Sequence, residues 1–244
     1  MKPLKSIIIV QFLPLLLLLS SCAMTDDARD YLSLKQWDKA AWISEAIGSI
    51  REGRYPRIRA VSYWHERWEN SNGIFSDLRI NSSPRALAAY TEAVADPIFV
   101  TTPVFSGEIL DVPPGNGIYH SVFPFFGNEE DSVTAQSING FETLAAEAIT
   151  WAYFSNNWIG GAIEFPTANA NTIRTSGRIP FIRMMMRSDF EEPPDPFFSL
   201  QDIIYGGHDA ALTQWALDAA AYSDQLIVEF GTEVNGDWFP WNGR

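Results

Sequence analysis

Between residues 37 and 52 the apolar positions Ala40, Ile43, Ile47 and Ile50 recur at three- and four-residue spacing, as on one face of a helix. Asp38 stands near the start of this helix and Gly53 just past its end. Polar and apolar residues then alternate from Arg57 to Tyr63, which predicts a short strand, with Trp64-His65-Glu66-Arg67-Trp68 at its end. A polar loop with Asn72-Gly73 follows. Ser83-Pro84 opens a second helix with Leu87, Tyr90 and Val94 on one face. The stretch from Pro103 to Gly115 is rich in proline and glycine and reads as a linker. Beyond it the period switches back and forth. Strands are predicted at Ile118–Phe123, Ile149–Phe154, Ile179–Met184 and Leu226–Phe230, with helices at Phe141–Ala148, Pro166–Thr175 and Leu212–Tyr222 between them. Alternating strands and helices imply an α/β fold with a parallel sheet and helical crossovers.

The N-terminus has a different character. Lys2 and Lys5 precede an apolar run from Ile7 to Leu19, and then comes Leu19-Ser20-Ser21-Cys22. A basic head, a short apolar core and small residues describe a secretion signal, too short for a comfortable transmembrane helix. The last four residues resemble a bacterial lipobox, which implies cleavage before Cys22, lipid attachment there and a membrane anchor. Ala23 rather than Asp follows, the usual pattern for the outer membrane. The other reading is an ordinary secretory signal with a chance cysteine. Cys22 is the only cysteine, so no disulfide framework is expected.

Composition narrows the partners. The net charge is −13, and removing Lys2 and Lys5 leaves roughly −15. Nucleic-acid binding needs clustered positive charge and is not expected. Nine tryptophans, several beside polar or turn residues, suit flat hydroxylated ligands such as sugars. The densest chemistry lies in Glu229-Phe230-Gly231-Thr232-Glu233-Val234-Asn235-Gly236-Asp237-Trp238-Phe239-Pro240-Trp241, just after the predicted strand. Glu233 can protonate a glycosidic oxygen and Asn235 can hold a hydroxyl. Trp238 and Trp241 can stack on pyranose rings or pack in a core. Glu229 reads as a buried, paired carboxylate. His65 and His120 lie at or within strands and can bond sugar hydroxyls, each being more often structural. His208, beside Gly206-Gly207, reads as exposed. No histidine pair has metal-ligand spacing and no phosphate loop is present, so neither metal nor cofactor is expected.

These residues resemble glycoside hydrolase family 26, the β-mannanase family of retaining glycosidases with (β/α)8 barrels. The resemblance rests on Ile179-Pro180-Phe181-Ile182-Arg183-Met184-Met185, Trp215-Ala216 and above all Phe230 to Trp241. It spans about 105–244 and implies barrel strands one to four, with Glu233 as general acid/base. Thr232 stands where the family usually has histidine. Tyr55-Pro56-Arg57-Ile58-Arg59-Ala60-Val61 with Trp64-His65-Glu66 resembles the family's eighth strand. Leu78-Arg79-Ile80-Asn81-Ser82-Ser83-Pro84 resembles its closing helix. Trp64 would then floor the cleavage subsite.

The implied organisation is a signal at 1–22, a spacer at 23–36, a barrel-end segment at 37–104 and the first half of a barrel at 105–244. It is a partial (β/α)8 TIM barrel, not closed by these strands, since closure needs eight. Either two module pieces are joined or the barrel is permuted. In a shared barrel the strand at Ile58 would lie beside the one at Ile118. The expected activity is retaining hydrolysis of β-1,4-linked mannan-type polysaccharide. No strand ending in a nucleophilic glutamate precedes Trp37, so the chain alone is expected to be inactive. The alternatives are a non-catalytic carbohydrate-binding surface lipoprotein or a poorly folding gene fragment.

Overall fold

The computed structural model describes residues 8–9, 38–70, 72–189, 195–233, 239 and 241. Helix α1 spans Lys39–Arg51, where Asp38 Oδ1 accepts from the amides of Ala40 and Ala41 and so satisfies two of the orphan donors of the first turn. Strand β2 is Ala60–Trp64 (β1 is the two-residue Ile8–Ile9). Helix α2 is Pro84–Val94, with Ser83 Oγ accepting from Ala86 and proline at the first position. Strand β8 is Ile118–Phe123, α3 is Ala135–Ala145 and β9 is Trp151–Asn157. After them come α4 at Thr167–Thr175, β10 at Ile179–Met185, α5 at Leu200–Ile204, α6 at Asp209–Tyr222 and β11 at Ile227–Phe230.

The shorter strands fall where loops are expected. β3 (Arg67–Glu69) and β4 (Phe75–Asp77) pair antiparallel around the Asn72-Gly73 turn, where Gly73 has a φ of 76°. The expected linker contains β6 (Phe105–Ser106) and β7 (Ile109–Leu110), a small hairpin turning at Gly107. β5 (Phe99–Val100) precedes them. Helix α3 starts and ends earlier than the apolar pattern predicts. Thr134 caps its start, and Ala146 breaks it in the left-handed region at φ 57°.

The main sheet is parallel throughout, in the order β1-β11-β10-β9-β8-β2, with β5 also pairing β8. Every residue of β8 and β10 is buried, as central strands covered on both faces require. The sheet does not close into a barrel among the described residues. β2 pairs with β8 from Ala60↔Tyr119 to Trp64↔Phe123, so the strand near Ile58 lies beside the one at Ile118, the adjacency expected of a shared barrel. No described helix is long and apolar enough to cross a membrane.

Period-two alternation sorts the strand side chains onto two faces. Val122, Ala152, Phe154, Ile182 and Val228 pack with Ile43, Tyr90, Phe141, Ile173 and Trp215 in the main core, beneath the helices. Tyr119, Trp151, Ile179, Phe181 and Ile227 form a smaller apolar cluster on the other face. There Trp151 Nε1 donates to Ser62 Oγ at 2.9 Å, reaching from β9 past β8 to β2.

His120 is a correction. It lies on the helix side of β8, 1 % exposed. Its Nε2 is 2.8 Å from the Tyr90 hydroxyl and its Nδ1 is 2.9 Å from the Ala148 carbonyl. Burial holds it below the usual imidazole range. Both nitrogens have protein partners, so none is left for a sugar. Tyr90→Phe should strand His120 Nε2 in the core and destabilise the chain by about 1–3 kcal/mol in urea unfolding; an unchanged midpoint would refute the pairing.

Candidate functional site

On the face opposite the helices the strands change character toward their C-terminal ends. Tyr153, Phe181 and Ile227 are followed, two residues on, by Ser155, Arg183 and Glu229. The register aligns Ser155 with Arg183 and Arg183 with Glu229 in one row across β9, β10 and β11. Open parallel sheets bind ligands outside the carboxyl ends of their strands.

Arg183 is the hub. It is 7 % exposed. Its Nη1 donates to Glu130 Oε2 at 2.8 Å, its Nε lies 3.6 Å from Glu229 Oε2, and its Nη2 lies 3.8 Å from Glu233 Oε1. Nη2 also reaches Thr232 Oγ1 at 3.4 Å, and the guanidinium carbon sits 5.7 Å from the centre of the Tyr153 ring. Glu130 comes from the loop after β8, where its own φ is 59°. It takes a second hydrogen bond from Ser155 Oγ at 2.6 Å. The surrounding carboxylates, Glu130 first, hold the guanidinium charged against the cost of its burial.

Glu233 follows β11 in a sharp turn. Gly231 has a φ of 68° and Glu233 itself a φ of 52°, a region that residues with a Cβ seldom occupy. The turn is braced from within. Trp241 Nε1 donates to the Thr232 carbonyl at 2.7 Å, and Phe239 stacks on Trp241 at 4.4 Å. Arg187 lies 5.6 Å from the Phe239 ring centre. Trp241 is 4 % exposed. It packs as a brace for the Glu233 turn.

Glu229 is half-buried and paired with Arg183, as the sequence reading expects. Burial raises its carboxyl, opposed by Arg183 and by a hydrogen bond from Thr232. Glu66 comes from the other segment, just after β2. It is 3 % exposed and accepts from Trp64 Nε1 at 3.0 Å. Burial first, then the charge of Glu130, push it up to about 8, with Trp64 and Arg183 opposing. Trp64 is half-buried at the strand end, stacked on Trp68 at 5.0 Å with the rings 20° apart. His65 turns the other way, accepting from the Ile80 amide on Nδ1, and burial lowers it to about 4.

Of the sequence candidates, Glu233 and Trp64 lie at the C-terminal ends of strands, while His120 and Trp241 do not face the site. Asn235, Trp238 and Cys22 lie outside the described residues. His208 is half-buried, packed on Phe198 at 4.9 Å. Among the described residues no group of His, Cys, Asp or Glu is arranged to hold a metal ion. Sequence reasoning passed over Arg183, Glu130 and Glu66. Arg183 was detectable as a lone cation in an otherwise apolar strand, which demands buried counter-charges. Glu130 stands in the Glu129-Glu130-Asp131 run and carries no such signal.

No protein-family model matches the chain, and no solved structure matches it. Endoglucanase H of Acetivibrio thermocellus is 49% identical over 57 residues, which is 23% of this chain and 6% of endoglucanase H. The chain thus matches only a small part of that relative's length.

Replacing Arg183 with methionine leaves buried carboxylates without their cation and should cost about 3–5 kcal/mol at pH 8. Protons can neutralise the acids in its place, so the deficit should shrink toward pH 5. Urea unfolding at both values checks this; an equal deficit at both would show that packing, not charge, is what Arg183 supplies.

Proposed function

We propose that this chain carries the acid/base half of a glycoside hydrolase of the family-26 type, with Glu233 as the general acid/base of a retaining site for β-1,4-linked mannan-type polysaccharide and no nucleophile assigned among its strands. The observation that carries this reading is the convergence of carboxyl groups on Arg183 at the carboxyl ends of parallel strands. Similarity to a stretch of a protein named an endoglucanase supports the glycosidase class, and the Phe230-to-Trp241 motif supports the family.

The chemistry divides between two carboxyl groups. Glu233, protonated, gives its proton to the glycosidic oxygen as the bond to the anomeric carbon breaks. A second carboxylate attacks that carbon from the opposite face and forms a glycosyl-enzyme. Glu233, now ionised, takes a proton from the water that hydrolyses it. The hub bears on this exchange. Arg183 Nη2 lies 3.8 Å from Glu233 Oε1 and ties the acid to the same cation that holds Glu130 and Glu229. Asn235 and Trp238 follow Glu233 closely in sequence, and in this reading hold a sugar hydroxyl and stack on a ring. Trp64 supplies a stacking surface on the β2 side. A lipid on Cys22 would tether the protein to the outer membrane, a part of the reading carried by the Leu19-Ser20-Ser21-Cys22 pattern alone.

The half-buried Trp64–Trp68 stack favours a second reading, a surface lipoprotein that binds β-glycan without cleaving it. The two are separated by one assay. Reducing ends released from soluble β-1,4-mannan by the full-length gene product should fall about 100-fold or more in Glu233→Gln. Unchanged hydrolysis would remove Glu233 from the acid role. Mannan binding without hydrolysis in either protein, lost in Trp64→Ala, would favour the second reading.

A further inference from the structure

Glu66 has an environment unlike that of its acidic neighbours. Glu130, Glu229 and Glu233 each lie within ion-pair distance of Arg183. Glu66 does not, and among the described residues it has no cation within that distance. Its hydrogen-bond partner is a neutral indole, Trp64 Nε1. At 3 % exposure, water does little to screen it. A negative charge here would face that of Glu130, which is already committed to Arg183. Burial of an ion without a paired counter-charge is resolved by keeping the proton.

The groups facing Glu66 come from several elements. Trp64 is on its own strand end, Glu130 follows β8, Tyr153 lies on β9 and Arg183 on β10. Burial keeps the Tyr153 phenol well above its usual range, so it adds no charge. His65, the adjacent residue, faces Arg79, Asp77 and Lys39 instead.

We propose that Glu66 is a positioning residue of this site and works as a neutral carboxyl. It adds a carboxyl from the β2 side without adding a negative charge beside Glu130 and accepts from the Trp64 indole, and the β2 side of the site keeps this arrangement while Glu66 keeps its proton. The identity of the ligand rests on the proposed function; the proton on Glu66 does not. Its carboxyl, raised from 4.5 to about 8, supports the same conclusion. A raised folded value means that the folded chain binds the extra proton. The stability it contributes is complete below about 4.5 and is lost as pH rises through about 8.

The test is Glu66→Gln, whose amide keeps the shape and the acceptor for Trp64 but cannot ionise. Melting temperatures of both chains are measured from pH 5 to pH 9. The difference should move in the variant's favour by roughly 5 °C or more between pH 5 and pH 8 and then level off. A difference that stays constant with pH overturns the proposal. Titration calorimetry with mannohexaose gives the positioning readout. Wild-type affinity should weaken at least about fivefold from pH 6 to pH 9, and the variant should show no such trend. Parallel pH trends in the two proteins overturn the positioning role. If wild type binds no mannohexaose at any pH, the sugar reading fails and the melting data still decide the protonation. If the variant does not fold, carbon-13 carboxyl NMR of the wild-type chain decides instead. One glutamate signal should titrate between pH 7 and pH 9 and persist in Glu229→Gln; midpoints all below pH 6 overturn the proposal.

Discussion

A guanidinium in the interior of a parallel sheet must be neutralised where it stands, and the C-terminal half of this structure is arranged around meeting that demand for Arg183. The cost of stripping water from such a cation is several kcal/mol, and only short contacts with acids offset it. Strand β11 brings Glu229 into register with it, and the turn after β11 brings Glu233. The loop after β8 folds back in a left-handed conformation to bring Glu130 to 2.8 Å. The planar fork of arginine lets one side chain face acids from separate elements, Glu130 through a hydrogen bond and Glu229 and Glu233 at ion-pair distance; lysine would offer a single point. Strands β10 and β11, the loop after β8 and the turn after β11 are thereby tied to one charge.

The helix-facing side of the sheet follows different physics. Its residues are apolar and are buried beneath α1 to α4 and α6, and the polar groups present there, such as the Tyr90–His120 pair, satisfy one another. The other side is apolar at one end and ionic at the other, because the strands keep their alternation while the residue types change. Trp151, Phe181 and Ile227 fill the apolar end; Ser155, Arg183 and Glu229 make up the ionic one. Segments 37–104 and 105–244 meet along β2 and β8, and the ionic end draws on both.

Much of this was legible in the sequence, and the limits have physical causes. The caps at Asp38 and Ser83 and the apolar periods gave the helices and the long strands, because those signals are local. The adjacency of β2 and β8 came from family resemblance and not from any local pattern, since strand pairing is a long-range contact. The motif drew attention to Glu233, but its place beside Arg183 is a contact between strands that no local pattern carries. Glu66 and Glu130 were not, because a glutamate in a charged or polar stretch looks solvated until the partners that bury it are known. His120 and Trp241 could not be assigned from sequence because the same residue types serve cores and sugar sites, and only the direction of the side chain separates them. The β3–β4 and β6–β7 hairpins were hidden by their brevity, two or three residues per strand giving no alternation to read.

The claim on which all of this turns is that the Arg183–Glu130 contact organises the site by charge. A double-mutant cycle on the whole chain, Arg183→Met with Glu130→Gln, measured by urea unfolding at pH 7, tests it most directly. The account predicts a coupling of about 2 kcal/mol or more between the two positions. A coupling below about 0.5 kcal/mol, the level expected of independent residues, would contradict it.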